Sequence, residues 1–163
     1  MKNIAIYLVL LFCGVSFAQA QTPEPKAEVI VFLSAKCPCV YNHKQPINDL
    51  ISEYGGDIKF TAVFIRKNED KELQDQMAKS LGWEMEFVDD TDGEYLKTYQ
   101  PSVYSDAVLL NEKGEVIYRG GIDDGPVNSG WIKNFYLKDA IEDYRNGVPV
   151  RVKEAKGIGC LIL

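Results

Sequence analysis

The stretch EVIVFLSAKCPC, residues 28–39, joins a continuous apolar run to two cysteines that are separated by a single proline. The run is rich in β-branched side chains, as expected for a strand that is buried on both faces. Apolar residues then recur at helical spacing, at Ile47, Leu50, Ile51 and Tyr54. The glycines Gly55 and Gly56 end this pattern. The sequence therefore predicts a strand, a turn that carries Cys37 and Cys39, and a helix.

Strands and helices continue to alternate after this unit. Apolar runs indicate strands at 58–65 and 85–88 and a β-hairpin at 106–120, and amphipathic patterns indicate helices at 70–81, 91–99 and 129–146. Strands that alternate with helices favour a parallel section of sheet, to which the hairpin adds an antiparallel edge. The pattern therefore predicts an α/β domain. Pro46 stands inside the first helix, where we expect it to produce a kink.

The first twenty residues have the features of a secretory signal peptide. Lys2 precedes an apolar run that ends at Ala18-Gln19-Ala20, a small-x-small cleavage pattern. The run is shorter than the roughly 20 residues that a transmembrane helix needs, and no second such run follows. We therefore expect cleavage near Ala20, export to the periplasm or to the outside of the cell, and no membrane span in the mature chain.

The rest of the chain divides into a linker at 21–27, one domain at 28–147 and a tail at 148–163 that carries Cys160. About 140 residues suit a single domain with an apolar core. Loss of Lys2 changes the formal net charge from −6 to −7, which argues against nucleic acid and anionic membranes as partners. Cleavage also removes Cys13, and the three remaining cysteines cannot all pair within one chain.

Three stretches, SAKCP (34–38), YRGGIDD (118–124) and NGVPVRVKEAKGIGC (146–160), resemble sequences of the thioredoxin-like superfamily. The closer resemblance is to its redoxin branch, which includes the alkyl hydroperoxide reductase and thiol-specific antioxidant proteins. It implies a central mixed β-sheet flanked by helices, with a C-terminal β-hairpin and a closing helix. The chain differs from thioredoxins in having Cys-x-Cys in place of Cys-x-x-Cys, and Ser105-Asp106 where a cis-proline usually stands.

Cys37 is the candidate nucleophile, because it matches the first cysteine of this family. A thiol attacks as its thiolate, and the start of a helix supplies N–H groups and a positive dipole end that lower a cysteine pKa. We also expect the end of the first strand to leave Cys37 accessible to a partner. A second thiol must resolve the intermediate, and either Cys39 or Cys160 can do so. Ser34 and Arg119 are candidate supporting residues.

The resemblance implies an extracytoplasmic thiol–disulfide oxidoreductase, or a thiol-dependent, peroxiredoxin-like reductase, that needs no cofactor. Its partners would be protein thiols and disulfides or a small peroxide. Either activity also requires a separate electron donor, which the sequence does not name. The direction of exchange depends on a reduction potential that local electrostatics set.

Three other interpretations of the cysteines stay open. Cys160 can form a structural disulfide with Cys37 or Cys39 that fastens the tail to the domain. Alternatively, Cys37, Cys39 and His43, with or without Cys160, can bind Cu(I) or Zn(II), for which thiolates and imidazole are suitable ligands. His43 follows Cys39 by four residues, which places both side chains on one face of a helix. The third interpretation is a metal-free, redox-silent binding module.

Overall fold

The computed structural model describes residues 26–125 and 132–162 of the 163-residue chain. The expected signal peptide lies outside these residues. The strands are β1 (Ala27–Leu33), β2 (Ile58–Phe64), β3 (Glu86–Asp89), β4 (Ala107–Asn111), β5 (Val116–Gly120) and β6 (Glu154–Ala155). The helices are α1 (Lys44–Tyr54), α2 (Lys71–Leu81), α3 (Glu94–Tyr99) and α4 (Tyr136–Arg145), and a 3-10 helix covers Pro38–His43.

The strands form one mixed sheet in the order β3-β2-β1-β4-β5-β6. β1 pairs in parallel with β2 and antiparallel with β4, and β2 pairs in parallel with β3. β4 and β5 form the expected hairpin. This arrangement confirms the α/β fold with a parallel section, an antiparallel hairpin and a closing helix. The boundaries also place Ala27, which the sequence assigned to the linker, in β1.

The central strand β1 determines where the candidate site lies. Six of its seven residues are buried, as its continuous apolar run predicted. Its parallel register with β2 aligns Leu33 with Phe64, so the loops that follow these two strands leave the same edge of the sheet. The first of these loops carries the cysteines. This edge therefore brings residues about 35 positions apart in sequence into contact with the cysteine turn.

The helix after the cysteines begins later than the sequence predicted. The 3-10 helix Pro38–His43 comes first, and α1 starts at Lys44. In an α-helix that ran back through this segment, the Pro46 ring would clash with the carbonyl of Asn42. Pro46 instead lies in the first turn of α1, where its missing N–H is not needed. The predicted kink inside the helix is therefore wrong.

The closing helix α4 begins at Tyr136, whereas the sequence predicted a helix from 129, of which residues 129–131 lie outside the described residues. Residues 132–135 are not helical. The Asp124 carboxylate accepts hydrogen bonds from the backbone N–H groups of Lys133 (2.8 Å) and Asn134 (3.0 Å). These bonds hold the segment against the loop after β5 and so prevent it from joining the helix.

The C-terminal tail contributes a strand that the sequence did not predict. The two-residue strand β6 pairs in parallel with the end of β5, where Gly120 lies opposite Ala155. Gly120 has a φ of 120°, and a Cβ at this position would lie 1.9 Å from the carbonyl oxygen of Ala155. Only glycine therefore lets the tail approach β5 closely enough to pair with it.

The core forms around the sheet, and helices α1 and α4 meet beside it. α1 buries Ile47, Leu50 and Tyr54, and the Tyr54 hydroxyl donates a hydrogen bond of 3.2 Å to Glu142 on α4. Burial of these apolar side chains supplies most of the stabilisation. Among the helices in the described part of the chain, none combines the length and apolar character needed to cross a bilayer.

Candidate active site

The cysteine turn connects β1 to the 3-10 helix. The backbone N–H of Cys37 donates to the carbonyl of Ser34 at 3.0 Å, which closes the turn. Cys37 is the N-cap residue of the 3-10 helix, and Pro38 follows at its start. Cys37 thus stands at the positive end of a short helix, where backbone N–H groups favour a thiolate.

Glu69, in the loop after β2, holds this turn in place. Its carboxylate accepts a hydrogen bond of 2.6 Å from the Ser34 hydroxyl and one of 2.8 Å from the backbone N–H of Ala35. The Ser34 hydroxyl oxygen in turn accepts from the backbone N–H of Lys36 at 3.2 Å. Ser34 therefore helps to fix the backbone of the turn, and its supporting role in the chemistry stays a prediction. The sequence predicted a role for Ser34 but gave no sign of its partner Glu69.

The three cysteine sulfurs form one cluster. Cys37 and Cys39 are joined as a disulfide, and Cys160 carries a free thiol. The Cys160 Sγ atom lies 2.8 Å from the Sγ atom of Cys37 and 3.3 Å from that of Cys39. The backbone N–H of Cys160 also donates to the Cys39 sulfur at 3.2 Å. The tail therefore brings the Cys160 thiol to the Cys37–Cys39 pair, although more than 120 residues separate them in sequence.

Backbone hydrogen bonds on both sides of Cys160 hold the tail against the loop that precedes β4. The N–H of Tyr104 donates to the carbonyl of Cys160 at 2.9 Å, and the N–H of Ile162 donates to the carbonyl of Ser102 at 3.3 Å. Val103 and Leu161 form an antiparallel bridge between these bonds. The tail thus adds a short extended segment beside residues 102–104 and positions Cys160 by its main chain.

Two glycines of the tail make this close approach possible. A Cβ at Gly157 would lie 1.8 Å from an Asp106 carboxylate oxygen, and a Cβ at Gly159 would lie 2.2 Å from the carbonyl oxygen of Tyr104. Real Cβ atoms do not approach other atoms so closely. The KGIGC segment (156–160) can therefore lie on the loop only because these two positions have no side chain.

The three sulfurs differ in exposure. Cys37 is 1% exposed, so the expectation that a partner has direct access to it is wrong. Cys39 is partly buried, and Cys160 is exposed. The Cys160 sulfur lies directly against the buried Cys37 sulfur, at 2.8 Å. A partner that approaches the folded domain therefore meets Cys160 first.

His43 is buried away from the sulfur cluster. The three cysteine sulfurs, which lie within 4.8 Å of one another, make up the group of potential metal ligands in the described part of the chain, and His43 does not belong to it. The His43 Nδ1 atom lies 3.5 Å from a carboxylate oxygen of Asp123, which is itself buried. The helical spacing of Cys39 and His43 did not bring them together, because the segment between them is a 3-10 helix.

Asp106 is a buried carboxylate beside the site. One of its oxygens accepts from the backbone N–H groups of Ser102 (2.8 Å) and Val103 (3.2 Å). The other oxygen has no hydrogen-bond partner among the described residues and faces Gly157. Burial raises the pKa of this carboxyl, and the two N–H groups and the nearby His43 oppose that rise.

Ser105 occupies the place where the resemblance implies a cis-proline. Its φ is 83°, an uncommon conformation for a residue other than glycine. Its backbone N–H donates to the carbonyl of Phe32 at 2.7 Å, and its hydroxyl donates to the carbonyl of Ile158 at 3.4 Å. Ser105 thus links β1 to the tail. Arg119 is exposed on β5, with its Nε atom 3.8 Å from a carboxylate oxygen of Glu154, and its supporting role stays a prediction.

Solved structures of other proteins share this fold. A conserved uncharacterised protein from Geobacillus kaustophilus is 25% identical, with a TM-score of 0.75 over 84% of this chain and 76% of that chain. A hypothetical protein from Sinorhizobium meliloti 1021 is 22% identical, with a TM-score of 0.75 over 88% and 82% of the two chains. A thioredoxin-like protein from Aeropyrum pernix is 15% identical, with a TM-score of 0.53 over 64% and 71%. Neither a protein-family model nor a curated protein matches the chain.

The chain has the thioredoxin-like fold. The fold class that the sequence predicted is therefore confirmed. The fold is also consistent with a turn at the carboxyl end of a central strand as the place for chemistry. The assignment to the redoxin branch, the roles of the individual cysteines and the substrate stay predictions.

Proposed function

We propose that this protein carries out thiol–disulfide exchange, with Cys37, Cys39 and Cys160 as the reacting groups. The observation that carries this proposal is the convergence of three sulfurs from two distant segments, with Cys160 2.8 Å from Cys37 and 3.3 Å from Cys39. A disulfide beside a free thiol at this distance is the arrangement that exchange requires. The thioredoxin-like fold and the Cys-x-Cys turn support the same class of reaction.

The contacts around the cluster suit this chemistry. Exchange is faster when the departing sulfur is a stable thiolate. The backbone N–H of Cys160 points at the Cys39 sulfur and would stabilise a thiolate there. Cys37 lies at the start of the 3-10 helix, where its thiolate would also be favoured. The same steps run in either direction, so the protein can oxidise a partner dithiol or reduce a partner disulfide.

We place this activity outside the cytoplasm. Residues 1–20 have the pattern of a secretory signal, and an oxidising compartment lets a disulfide persist. The partners would then be thiols and disulfides of exported proteins, and a small peroxide is a further candidate oxidant. Fractionation of cells that produce the full chain, followed by N-terminal sequencing, tests the location; a full-length protein in the cytoplasm would contradict it.

Differential alkylation with peptide mass mapping tests the activity. The metal-free protein is equilibrated across a series of thiol–disulfide redox buffers, and the pairing of each cysteine is read at each potential. We expect a reversible disulfide that involves Cys37, in the range of exchange catalysts at roughly −120 to −270 mV. Three thiols that stay free throughout, or a disulfide that resists reduction below about −300 mV, would contradict the proposed function.

Binding of Cu(I) or Zn(II) is a second candidate, and the three-sulfur cluster is the observation that favours it. All three sulfurs lie within 4.8 Å of one another, and reduction of the disulfide would supply three soft thiolates. The sulfurs would separate somewhat to surround a metal, because a zinc–sulfur bond is about 2.3 Å long. His43 would take no part, since it faces Asp123.

Titration of the reduced protein with Cu(I) under a competing chelator tests this candidate. We expect Cys160→Ser to weaken binding by roughly tenfold or more, because it removes one of three ligands. His43→Ala is the matched control, and its affinity should equal that of the wild type. An affinity that falls in His43→Ala as far as in Cys160→Ser would contradict the three-thiolate site.

A further inference from the structure

The three sulfurs of the cluster are not equally accessible to a partner. Cys37 is buried and Cys160 lies against it, while Cys160 itself is exposed. A partner protein can react at the buried Cys37 sulfur in two ways. Either the tail leaves and uncovers Cys37, or Cys160 reacts with the partner and passes the exchange inward.

We propose that Cys160 is the shuttle thiol that meets the partner, and that Gly157 and Gly159 position it for exchange with Cys37. This inference rests on the proposed function and adds the route by which a partner is reached. It assigns Cys160 a catalytic role at the surface and the two glycines a positioning role. The partner is a protein or peptide with two thiols, or with a disulfide in the reverse direction.

The contacts that hold the tail favour reaction at Cys160 over detachment of the tail from the domain. Hydrogen bonds fix the main chain before, at and after Cys160, through the Ser105 hydroxyl to Ile158, the Tyr104 N–H to Cys160 and the Ile162 N–H to Ser102. Strand β6 adds a further attachment upstream. Removal of the tail would break all of these contacts. Reaction at Cys160 breaks none of them, because its side chain is already exposed.

The exchange begins inside the cluster. The Cys160 thiolate attacks the Cys37 sulfur, to which it is closer than to Cys39. The Cys160–Cys37 bond forms, the Cys37–Cys39 bond breaks, and the electron pair goes to the Cys39 sulfur, which leaves as a thiolate beside the Cys160 N–H. This step moves the disulfide to the exposed cysteine without net oxidation or reduction.

A partner dithiol then completes the reaction. One partner thiolate attacks the Cys160 sulfur, which forms a mixed disulfide and releases Cys37 as a thiolate. The second partner thiolate attacks the partner's own sulfur in that bond and releases Cys160. The partner becomes a disulfide, having lost two electrons and two protons, and Cys37 and Cys39 gain both as two thiols. In reverse, the same steps reduce a partner disulfide.

The glycines are required because the transfer depends on the position of the tail. An alanine at Gly159 would collide with the carbonyl oxygen of Tyr104, and one at Gly157 would collide with Asp106. Either change lifts the tail and separates Cys160 from Cys37. The two routes therefore predict opposite effects, since a lifted tail slows a shuttle and exposes a covered disulfide.

The experiment measures how fast a reduced two-cysteine peptide reduces the Cys37–Cys39 disulfide, with rapid alkylation and mass mapping as the readout. The variants are Cys160→Ser, Gly157→Ala and Gly159→Ala. Gly56→Ala is the matched control, because a Cβ at Gly56 meets nothing within 4 Å. We expect the rate to fall by roughly tenfold or more in all three variants and to be unchanged in the control, since misplacement of about 1 Å has effects of this size.

The shuttle would be overturned if the disulfide of Cys160→Ser and of the glycine variants were reduced as fast as that of the wild type, or faster. A second measurement applies even if a glycine variant is unstable. The reduced wild type is treated with a single-cysteine peptide that carries an activated disulfide, and the first adduct is mapped. A first adduct on Cys160 supports the shuttle, and one on Cys37 or Cys39 overturns it. A wild-type disulfide that never reacts reversibly would instead defeat the proposed function itself.

Discussion

Ser34 and Glu69 connect the loops that follow β1 and β2, through a hydrogen bond of 2.6 Å from the Ser34 hydroxyl to the Glu69 carboxylate. The same carboxylate accepts from the backbone N–H of Ala35 at 2.8 Å. Glu69 thereby fixes the backbone that leads to Cys37 while remaining outside the sulfur cluster. The position of the reacting cysteine thus depends on a residue of a different loop.

Replacement of Glu69 should destabilise the fold. In Glu69→Ala, the fully buried Ser34 hydroxyl and the Ala35 N–H both lose their acceptor. We expect the free energy of unfolding to fall by about 1–3 kcal/mol, the usual cost of an unsatisfied buried polar group. Urea denaturation measures this loss. Glu84→Ala, on an exposed position, is the control, and equal stabilities of the two variants would show that Glu69 does not hold the turn.

The cysteines should not be equivalent in exchange. Cys37→Ser should abolish reversible exchange. The two cysteines that remain, Cys39 and Cys160, lack the buried partner to which Cys160 is closest. Cys39→Ser should instead form a Cys37–Cys160 disulfide, since these sulfurs are only 2.8 Å apart. Mass mapping after oxidation measures the pairing, and thermal unfolding checks that both variants fold. Full exchange activity in Cys37→Ser would show that Cys37 is not required for the exchange.

The buried carboxyl of Asp106 should make stability depend on pH. Burial raises its pKa in the folded protein above the ordinary value of 3.8, so the folded chain binds this proton more tightly than the unfolded chain. The contribution of Asp106 to the free energy of unfolding is therefore greatest below about pH 4 and is lost as pH rises through the raised pKa.

Asp106→Asn should remove this dependence and keep an oxygen for the N–H groups of Ser102 and Val103. We expect its stability relative to the wild type to increase as pH rises from about 4 to 7. Urea unfolding of both proteins across this range measures the difference, and all other titrating groups are common to both. A wild type that gains stability over the variant with rising pH would contradict the raised pKa.

Gly120→Ala should detach the tail strand from the sheet. The new Cβ would lie 1.9 Å from the carbonyl oxygen of Ala155, and the φ of 120° is unfavourable for alanine. We expect a loss of roughly 1–3 kcal/mol in the free energy of unfolding. Amide exchange at Arg119, whose N–H donates to Lys153, should also accelerate. Gly56→Ala again serves as the control, and normal protection of Arg119 in Gly120→Ala would contradict the role of Gly120.

Local patterns in the sequence predicted most of the fold. The continuous apolar runs located β1 and β2, and the amphipathic spacing with Gly82 located α2, which ends there. The pattern failed where distant residues decide the structure. Lys133 and Asn134 lie in a segment whose apolar residues have helical spacing, but their backbone N–H groups donate to Asp124. The spacing of apolar residues carries no information about that contact. Pro46, in contrast, was a local signal that marked the start of α1 rather than a kink within it.

The candidate site was predictable only where local sequence patterns mark it. Cys37 and Cys39 were evident from the strand and turn in which they occur, and Cys160 from its resemblance to a family tail. Glu69, Asp106, Gly157 and Gly159 were not recognised, because each acts through a residue far away in sequence or through the absence of a side chain. The two glycines flanking Ile158 were the available signal, since a tail rich in glycine is suited to close backbone packing.

The pairing of Ala155 with Gly120 also limits how far Cys160 can travel. Cys160 is five residues beyond Ala155, so a fully extended segment reaches only roughly 17 Å from the sheet. The tether alone would give the thiol an effective concentration on the order of millimolar at the cysteine turn, whatever the amount of protein in solution, and the contacts that hold the tail raise it further. Transfer between Cys160 and Cys37 should therefore proceed at the same rate in dilute and concentrated protein, and an external thiol must exceed roughly millimolar levels to compete with it.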